Sequence, residues 1–294
     1  IDRWFARSEP GDSFLYDQDS SAPYGFKNSL KFNCANTSSG GSNFIYTITQ
    51  NIEGNNVADF GFGGGSSRAM ALSFWVKSSL TGDFGGSLQN SNRDRSFNFV
   101  YNIAVAGDWE YKTILIPGPT SGTWVNDTGV GLRLNFDMGC GSSFRGNAGS
   151  WLNADTRGPS GAVSPMQTLN SVWRVTGVQL EMGPAATPFE YRAYPEEFKR
   201  CQRYYQRIGY GNHLCITNAI NNNPSRIPIP MFQTEMRAIP VYSSPGQLTA
   251  FSSGTNFTVN DLHQESENGG GYVQLASSPT NGIYLKVIAN AEIT

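Results

Sequence analysis

Residues suited to acid–base or nucleophilic chemistry are few in this sequence and follow no catalytic spacing. The 294 residues include two histidines, His213 and His263, and neither belongs to an H-E-x-x-H zinc motif. A G-x-S-x-G nucleophile elbow and a G-x-x-x-x-G-K-S/T phosphate loop are also missing from the sequence. The sequence therefore predicts a protein that is not an enzyme, with no metal site and no cofactor.

Paired carboxylates are the one remaining catalytic possibility, because two acidic side chains that flank a glycosidic bond can hydrolyse it. Asp137, Asp155 and Glu181 could supply such a pair, although their spacing does not show which of them meet in the fold. The chain has 23 acidic residues, and most acidic side chains are solvated or hydrogen-bonded in ordinary surfaces. A polysaccharide depolymerase is therefore the less favoured alternative.

Sugar recognition needs other groups: an aromatic ring that stacks on the apolar face of a pyranose, and planar polar groups that hydrogen-bond its hydroxyls. The run ALSFWVKSS, residues 71–79, alternates so that its apolar side chains share one strand face: Leu72, Phe74 and Val76. Trp75 then lies on the opposite, polar face. A tryptophan in this position has no obvious core partner and is suited to ligand contact.

The run GVGLRLNFDM, residues 129–138, alternates in the same way and leaves Arg133, Asn135 and Asp137 on its polar face. The apolar residues expected in the core also include Leu132, Leu134, Phe136, Val178 and Leu180. The three polar side chains and Trp75 would form a carbohydrate-binding site if the two strands belong to one sheet. Otherwise a loop or a neighbouring subunit would cover Trp75.

Trp151 is the alternative aromatic anchor for a sugar. It lies in the Gly/Ser-rich segment 139–171, which has little periodicity. Long irregular segments in compact domains are commonly functional or disordered. Trp151 either belongs to a binding surface or anchors its own segment on the fold.

The elements that must position these residues are mainly strands. Short alternating runs separated by Gly/Ser/Asn-rich turns predict an antiparallel sandwich or barrel. Seven strands are expected, at 29–34, 43–50, 71–79, 95–105, 109–118, 129–139 and 173–183. Strand patterns resume after residue 212, and their number and length suit a second, small β-sandwich.

One helix is predicted, from Pro195 to Arg207. Proline suits a first helical position, Glu196 and Glu197 face the positive end of the helix dipole, and basic residues follow toward its other end. A narrow apolar stripe recurs along this helix at Phe198, Cys201, Tyr205 and Ile208. We expect a short helical brace between two β units, with its stripe covered by another surface.

Charge and hydropathy exclude several partner classes. Only 15% of the residues are charged, and the formal net charge is −2, so the clustered basic surface that nucleic acid requires is not expected. No run of about 18 apolar residues is present, so no membrane insertion is predicted. The four cysteines are far apart in sequence and are expected to be reduced and mostly buried.

The stretch from Val175 to Arg207 carries a resemblance to a known family. Its sequence, VTGVQLEMGPAATPFEYRAYPEEFKRCQRYYQR, resembles the junction of bacteriophage tail-fibre and tail-appendage proteins, where G-V-Q-L-E-x-G precedes A-T-P-F-E and a helix ending C-x-R-Y-Y. The runs ALSFWVKSS and GDWEYKTILIPG are similar to strands of jelly-roll carbohydrate-binding modules. EMRAIPVYSS and the terminal ANAEI are similar to the small β-domain that ends such chains.

The resemblance implies a virion protein of the phage tail, outside the host cell, that forms a homotrimer and contacts host-surface glycan. It implies three parts: a jelly-roll carbohydrate-binding-like domain at 1–190, a helical connector at 191–210 and a small C-terminal β-sandwich domain at 211–294. Other tail proteins would bind its N-terminal side. We therefore predict a non-enzymatic tail-fibre adhesin that binds host surface polysaccharide during adsorption; a structural fibre or decoration protein of the virion is the alternative.

Overall fold

The chain divides into two compact units, Ile1–Tyr191 and Arg192–Thr294. A computed structural model describes residues 3–9, 14–38 and 40–208 without further gaps. Beyond these it describes 214–216, 226–228, 232, 234–243, 248–249, 256–257, 259–264, 267, 269, 271–275, 283–285 and 287–292.

The first unit is a sandwich of two antiparallel sheets. Sheet A has the order β1-β4-β9-β6-β7-β11, and sheet B has the order β2-β3-β13-β5-β8. The strands of sheet A are β1 (Trp4–Arg7), β4 (Thr47–Glu53), β6 (Gly82–Gln89), β7 (Ser96–Ile103), β9 (Val130–Asp137) and β11 (Trp151–Leu152). Those of sheet B are β2 (Phe14–Asp19), β3 (Ser29–Cys34), β5 (Met70–Ser78), β8 (Glu110–Ile116) and β13 (Val172–Met182).

Smaller elements complete this unit. A short parallel pair joins β10 (Arg145–Gly146) to β12 (Gly158–Pro159). Four single-turn 3₁₀ helices lie in the connections: Gly54–Asn56, Ala58–Phe60, Ser142–Phe144 and Pro165–Gln167. The chain changes sheet at most connections, for example from β3 to β4 and from β4 to β5, which gives the wound arrangement of a jelly roll.

The predicted all-β class and the jelly-roll sandwich are confirmed, and all seven predicted strands occur with small shifts in their ends. Period-two alternation buries one face of each sheet against the other. The predicted core residues Phe74, Val76, Leu132, Leu134 and Phe136 are buried. Val178 and Leu180 are partly buried and pack against this core. A bulge in β13 between Thr176 and Gln179 shifts its register, so that Leu180 lies opposite the buried Leu72.

Aromatic rings fill the centre of this core. The ring centroid of Phe136 lies 5.0 Å from that of Trp173 and 5.2 Å from that of Phe74, which come from the opposite sheet. The indole N–H of Trp173 donates a hydrogen bond of 3.1 Å to the hydroxyl of Tyr101. The two sheets therefore meet through large apolar rings, and the buried polar atoms of Trp173 and Tyr101 satisfy each other.

Strand β6 was not predicted, because its sequence GDFGGSLQ is rich in glycine, which is unfavourable in strands. Its glycines are required by close contacts. A Cβ atom at Gly86 would lie 2.1 Å from the carbonyl oxygen of Asn135, and one at Gly85 would lie 2.3 Å from the ring of Pro159. Strand β6 therefore pairs between β7 and β9 where larger residues would clash.

The second unit begins with the chain's predicted helix, α1 (Tyr194–Gln202), which ends five residues earlier than expected. The next residues form β14 (Tyr205–Ile208), which pairs with β23 (Val287–Asn290). Main-chain pairing with β23 overrides the helical propensity of the sequence here. Phe198 is half exposed and stacks on Tyr194 at 5.9 Å, so the predicted apolar stripe is not buried as a continuous row.

The remaining strands of the second unit are short and antiparallel. They are β15 (Leu214–Ile216), β16 (Arg226–Pro228), β17 (Val241–Ser243), β18 (Leu248–Thr249), β19 (Asn256–Phe257), β20 (Val259–Gln264), β21 (Gly271–Leu275) and β22 (Ile283–Leu285). Much of the predicted second sandwich falls outside the described residues, as do His213 and the side chain of His263. Among the described residues, no helix has the length and apolar character needed to cross a bilayer.

Candidate functional site

The two halves of the predicted carbohydrate site lie on different sheets. Trp75 belongs to β5 of sheet B, whereas Arg133, Asn135 and Asp137 belong to β9 of sheet A. Each points away from the shared core, so they lie on opposite outer faces of the sandwich. The expectation that they form a single site is therefore wrong. The two strands have the same alternating pattern in sequence, but the chain crosses between the sheets and places them in different ones.

The polar row on β9 is covered by the chain itself. Residues 139–167, here called the cover segment, lie over the outer face of sheet A, so that Asn135 and Asp137 are buried. A Cβ atom at Gly158 would lie 2.3 Å from a carboxylate oxygen of Asp137. Asn135 donates to Ser87 and Gln89 on β6. These two side chains are therefore structural in this arrangement, away from any surface that a sugar could reach.

Asp137 fixes the start of the cover segment. One carboxylate oxygen accepts hydrogen bonds from the backbone N–H groups of Gly139 and Cys140, at 2.8 and 2.7 Å. The other accepts from Nε of Arg145 at 2.9 Å. Burial raises the pKa of Asp137, and the Arg145 guanidinium and the two backbone donors oppose that rise. Arg145 also donates to the carbonyl of Ala162 and the hydroxyl of Ser164, and so joins both ends of the segment.

Trp151 packs inside an aromatic cluster at the edge of sheet A. Its ring lies 5.5 Å from Phe97 and 5.4 Å from Trp124, and Trp124 in turn lies 4.9 Å from Phe62. The indole N–H donates to the carbonyl of Pro117 at 2.6 Å. These contacts favour the alternative in which Trp151 anchors its own segment on the fold.

The outer face of sheet B presents aromatic rings to solvent. Trp75 is half-buried and lies 5.4 Å from Tyr111, its register partner on the edge strand β8, with 49° between the ring planes. Tyr111 is 44% exposed. Trp75 and Tyr111, here called the aromatic platform, give a surface that is flat, partly solvated and built on two paired strands.

Polar groups flank the aromatic platform. Thr113 follows Tyr111 on the same face of β8 and is exposed, and Lys77 follows Trp75 on β5. Neither side chain has a hydrogen bond or ion pair within the described part of the chain. A hydroxyl and an ammonium group are therefore available beside the rings, in the combination that hydrogen-bonds sugar hydroxyls while a ring stacks.

Tyr111 was missed by the sequence reasoning, although a signal for it was present. In the run WEYKTILI, Trp109, Tyr111 and Thr113 alternate with Glu110 and Lys112. The structure places Tyr111 opposite Trp75 in register, and Trp109 lies one residue before β8, half-buried. Aromatic residues that repeat on one face of a strand, beside a second strand with an outward aromatic residue, indicate such a platform.

The junction motif that carried the family resemblance has a clear structural purpose within the first unit. Residues 183–191, here called the return segment, fold back along β13. Glu181 accepts hydrogen bonds from the backbone N–H and the hydroxyl of Thr187, at 2.7 and 2.6 Å, and Gln179 accepts from the N–H of Glu190 at 2.9 Å. The polar side chains of the motif therefore hold its own continuation in place.

Apolar contacts complete the junction. Phe189 packs on Phe26 at 5.1 Å and on Tyr191 at 5.1 Å. Gly177 has a φ of 60°, and a Cβ atom there would lie 2.6 Å from the ring of Phe26. Glycine is thus required both by the left-handed backbone and by the ring beside it.

Acid is expected to release the return segment. Burial would raise the pKa of Glu181, but hydrogen bonds from Thr187 and Gln179 outweigh it, so the pKa is lowered. Because the pKa of Glu181 is lower in the folded state than in the unfolded chain, where it is about 4.3, its ionised form stabilises the fold at pH values above about 4.3. This stabilisation is lost as the pH falls through the pKa of the folded state. In thermal unfolding, wild type should exceed Glu181→Gln in Tm at pH 7, and the difference should vanish toward pH 3. A difference independent of pH would contradict the role of the carboxylate charge.

The three carboxylates considered for glycoside hydrolysis do not all meet. Glu181 lies on sheet B, whereas Asp137 lies on sheet A and Asp155 lies in the cover segment. Asp155 accepts from Gln89 at 2.7 Å and pairs with Arg157 at 3.0 Å. Within the described residues, no three His, Cys, Asp or Glu side chains come close enough to hold a metal ion.

An open cavity of about 580 Å³ lies where the cover segment meets residues 40–42. Its lining is mostly small glycine, serine and alanine residues, with Arg145 at one side. Arg145 already uses its donors on Asp137, Ala162 and Ser164. The cavity has no aromatic ring in its lining, so the aromatic platform is the stronger candidate for sugar contact.

No protein-family profile matches the sequence, and no curated protein is significantly similar to it. Among solved structures, the chain is similar to the enzymatically active domain of tailspike protein 4 of bacteriophage CBA120, with 12% identity and a TM-score of 0.37. That match covers 61% of this chain and 19% of the tailspike chain, so this chain spans only a small part of the tailspike's length.

Carbohydrate-binding modules are also similar in structure. The family 11 module of a cellulosomal cellulase of Clostridium thermocellum matches 65% of this chain and 92% of its own, with 15% identity and a TM-score of 0.31. The N-terminal cellulose-binding domain of a Cellulomonas fimi β-1,4-glucanase matches 62% and 90%, with 11% identity and a TM-score of 0.33.

Proposed function

We propose that this protein is a non-enzymatic adhesin that binds a host surface polysaccharide through the aromatic platform. The observation that carries the proposal is the pair formed by the half-buried Trp75 and the exposed Tyr111 on paired strands, with Lys77 and Thr113 beside it. Rings held by strands lose little conformational freedom on binding, and the apolar faces of sugars stack on them while the polar neighbours bond the hydroxyls.

The proposal includes a place in the virion. The junction motif resembles that of phage tail fibres, so we propose an extracellular tail protein that acts during adsorption, as a homotrimer attached to other tail proteins. Three linked copies would turn weak single sugar contacts into firm attachment. The half-exposed Phe198 and the exposed Tyr194 on α1 supply an apolar surface that a neighbouring copy could cover.

Substitutions on the platform test the sugar-binding proposal. Trp75→Ala and Tyr111→Ala should each weaken binding to host cells or to the isolated polysaccharide at least tenfold, which corresponds to about 1.4 kcal/mol. Both should leave the first unit folded, because both rings lie on the outer face of sheet B, away from the core between the sheets. Binding is measured by whole-cell adsorption and a glycan array.

Tyr16→Ala is the matched control. Tyr16 is 41% exposed, close to the 44% of Tyr111, and lies on β2 at the opposite edge of the same sheet. It should bind like wild type. If Trp75→Ala unfolds the first unit, or if all three variants bind equally well, the platform is not the site. Light scattering on the same samples tests the homotrimer, and a stable monomer at micromolar concentration would overturn that part of the proposal.

The alternatives give other results. A structural fibre or decoration protein would leave adsorption intact when the protein is removed from assembled particles. A depolymerase would release new reducing ends from capsule or lipopolysaccharide. Asp137 is buried and bonded to Arg145, Asp155 is bonded to Gln89 and Arg157, and Glu181 is bonded to Thr187. All three carboxylates therefore already have partners within the protein, which favours binding over hydrolysis.

A further inference from the structure

Three arginine side chains lie near enough to one another, over the outer face of sheet A, to affect one another's pKa. Arg133 projects from β9, between Asn51 of β4 and Gln89 of β6, which are its register partners. Arg157 comes from the cover segment, and Arg93 comes from the turn between β6 and β7. We call Arg93, Arg133 and Arg157 the arginine cluster.

The charges of this cluster are not balanced. Arg133 is 7% exposed, donates from Nη1 to the amide oxygen of Asn51 at 2.8 Å, and has a buried Nε without an acceptor. Arg157 is 4% exposed and pairs with Asp155, and its Nε is also buried without an acceptor. Asp155 is the carboxylate that raises the pKa of both Arg93 and Arg133, whereas Arg157 lowers both and Arg7 also lowers that of Arg93.

The neighbouring guanidinium groups carry like charges and repel one another. Burial, followed by Arg93 and Arg157, lowers the pKa of Arg133 to about 10, and Asp155 opposes this only in part. Burial, followed by Arg157, also lowers the pKa of Arg93. Proteins normally pair buried charges or use them to bind a ligand, because an unpaired buried charge is unfavourable.

The backbone at Arg93 is strained in a way that favours a functional explanation. Its φ is 59°, in the left-handed region where glycine and asparagine are usual. The buried Asn90 fixes the turn, since its side chain accepts from the N–H of Arg95 and donates to Asp94 and to the carbonyl of Thr123. The Nε of Arg93 is buried and has no acceptor within the described part of the chain. Strained positions of this kind cluster at functional sites.

We infer that the arginine cluster is a binding site for an oxyanion, such as the carboxylate, sulfate or phosphate of an acidic ligand. Guanidinium groups match the geometry of these anions through paired N–H donors. Arg93 is half-buried, so it is the member of the cluster that solvent reaches most, whereas Arg133 and Arg157 are buried. The site lies on the sheet opposite the aromatic platform and does not depend on the sugar-binding proposal.

The test measures Tm and binding heat with defined probes at constant ionic strength. Inorganic phosphate, glucuronate and polygalacturonate are compared with glucose and with matched sodium chloride. The oxyanions should raise Tm in a saturable way, as expected for a ligand that binds only the folded state, and glucose should not. If polygalacturonate binds more tightly than phosphate, the oxyanion belongs to an acidic glycan. If phosphate binds more tightly than polygalacturonate, the ligand is a free anion. Oxyanion shifts no larger than those of chloride would overturn the inference.

Variants make the test specific. Arg93→Asn keeps a residue that tolerates the left-handed backbone, so its Tm without anion should equal or exceed that of wild type, while anion affinity should fall at least tenfold. Arg133→Gln should also keep or raise the Tm without anion, because it removes a buried charge, and it should also lower the anion affinity at least tenfold. Arg95→Asn is the control, since Arg95 lies in the same turn but bonds to Asn153 outside the cluster.

Arg95→Asn and Trp75→Ala should both keep the full anion response. If Arg93→Asn responds to anions like wild type, the inference fails whatever the outcome for sugar binding. If Trp75→Ala loses cell binding and retains the anion response, both proposals stand.

Discussion

Replacing Phe136 by alanine is expected to reduce the free energy of unfolding of the first unit by about 3 to 5 kcal/mol. Phe136 is fully buried, and its ring contacts Trp173, Phe74 and Trp4 at centroid distances of 5.0, 5.2 and 6.0 Å. These rings come from both sheets, so the cavity left by the substitution cannot close without moving the sheets together. Such a loss is a large part of the stability of an ordinary domain.

Val100→Ala is the control for this experiment. Val100 belongs to the neighbouring part of sheet A on β7, but it is 40% exposed, so its truncation should change stability by less than about 0.5 kcal/mol. Calorimetry is the suitable measurement, because the two units can unfold separately and a single transition cannot be assumed. Equal losses for the two variants would show that β9 is shifted by one residue, which would exchange its core and outer faces.

The strands of the first unit could be predicted where one face is apolar and the other polar. β9 shows this pattern most clearly, and its core face occurs as the alternation indicated. β6 could not be predicted, since the reason for Gly86 is a backbone atom of Asn135 that is distant in sequence. The early end of α1 likewise follows from pairing with a strand more than 80 residues later in the chain.

The candidate sites also depend on contacts between residues that are distant in sequence. Alternation places Trp75 on an outer face, and the structure agrees, but alternation does not say which sheet a strand joins. Trp75 therefore faces Tyr111 of β8, while Arg133 faces a different surface. Which polar row is covered also depends on the cover segment, whose contacts through Arg145 and Gly158 have no periodic signal in sequence.

Asp137 is expected to be an anchor of the cover segment, so its removal should be costly for stability. Asp137→Ala would leave Arg145 without its carboxylate and the N–H groups of Gly139 and Cys140 without their acceptor. Breaking a buried ion pair by removing one partner typically costs about 3 to 5 kcal/mol. Tm should fall accordingly, and proteases should cleave within residues 139–167 faster than in wild type.

Asp127→Ala is a matched control, because Asp127 accepts the N–H of Gly129 two residues ahead at 2.7 Å but is exposed. Its loss should be near the 0.5 to 1.5 kcal/mol of an ordinary hydrogen bond. Asp137→Asn should be intermediate, since an amide oxygen can still accept from the backbone but cannot pair with Arg145.

A double-mutant cycle separates the ion pair from the backbone contacts. If Asp137 acts through Arg145, the double variant Asp137→Ala with Arg145→Met should lose less stability than the sum of the single changes, with a coupling of about 0.5 to 3 kcal/mol. Replacing both charges by apolar groups removes the unpaired guanidinium, so only the two backbone donors remain unsatisfied. Additive losses would show that the pair is not coupled. If Asp137→Ala instead loses polysaccharide binding while its Tm and protease resistance stay unchanged, Asp137 contacts the sugar, as the sequence predicted, and is not an anchor of the cover segment.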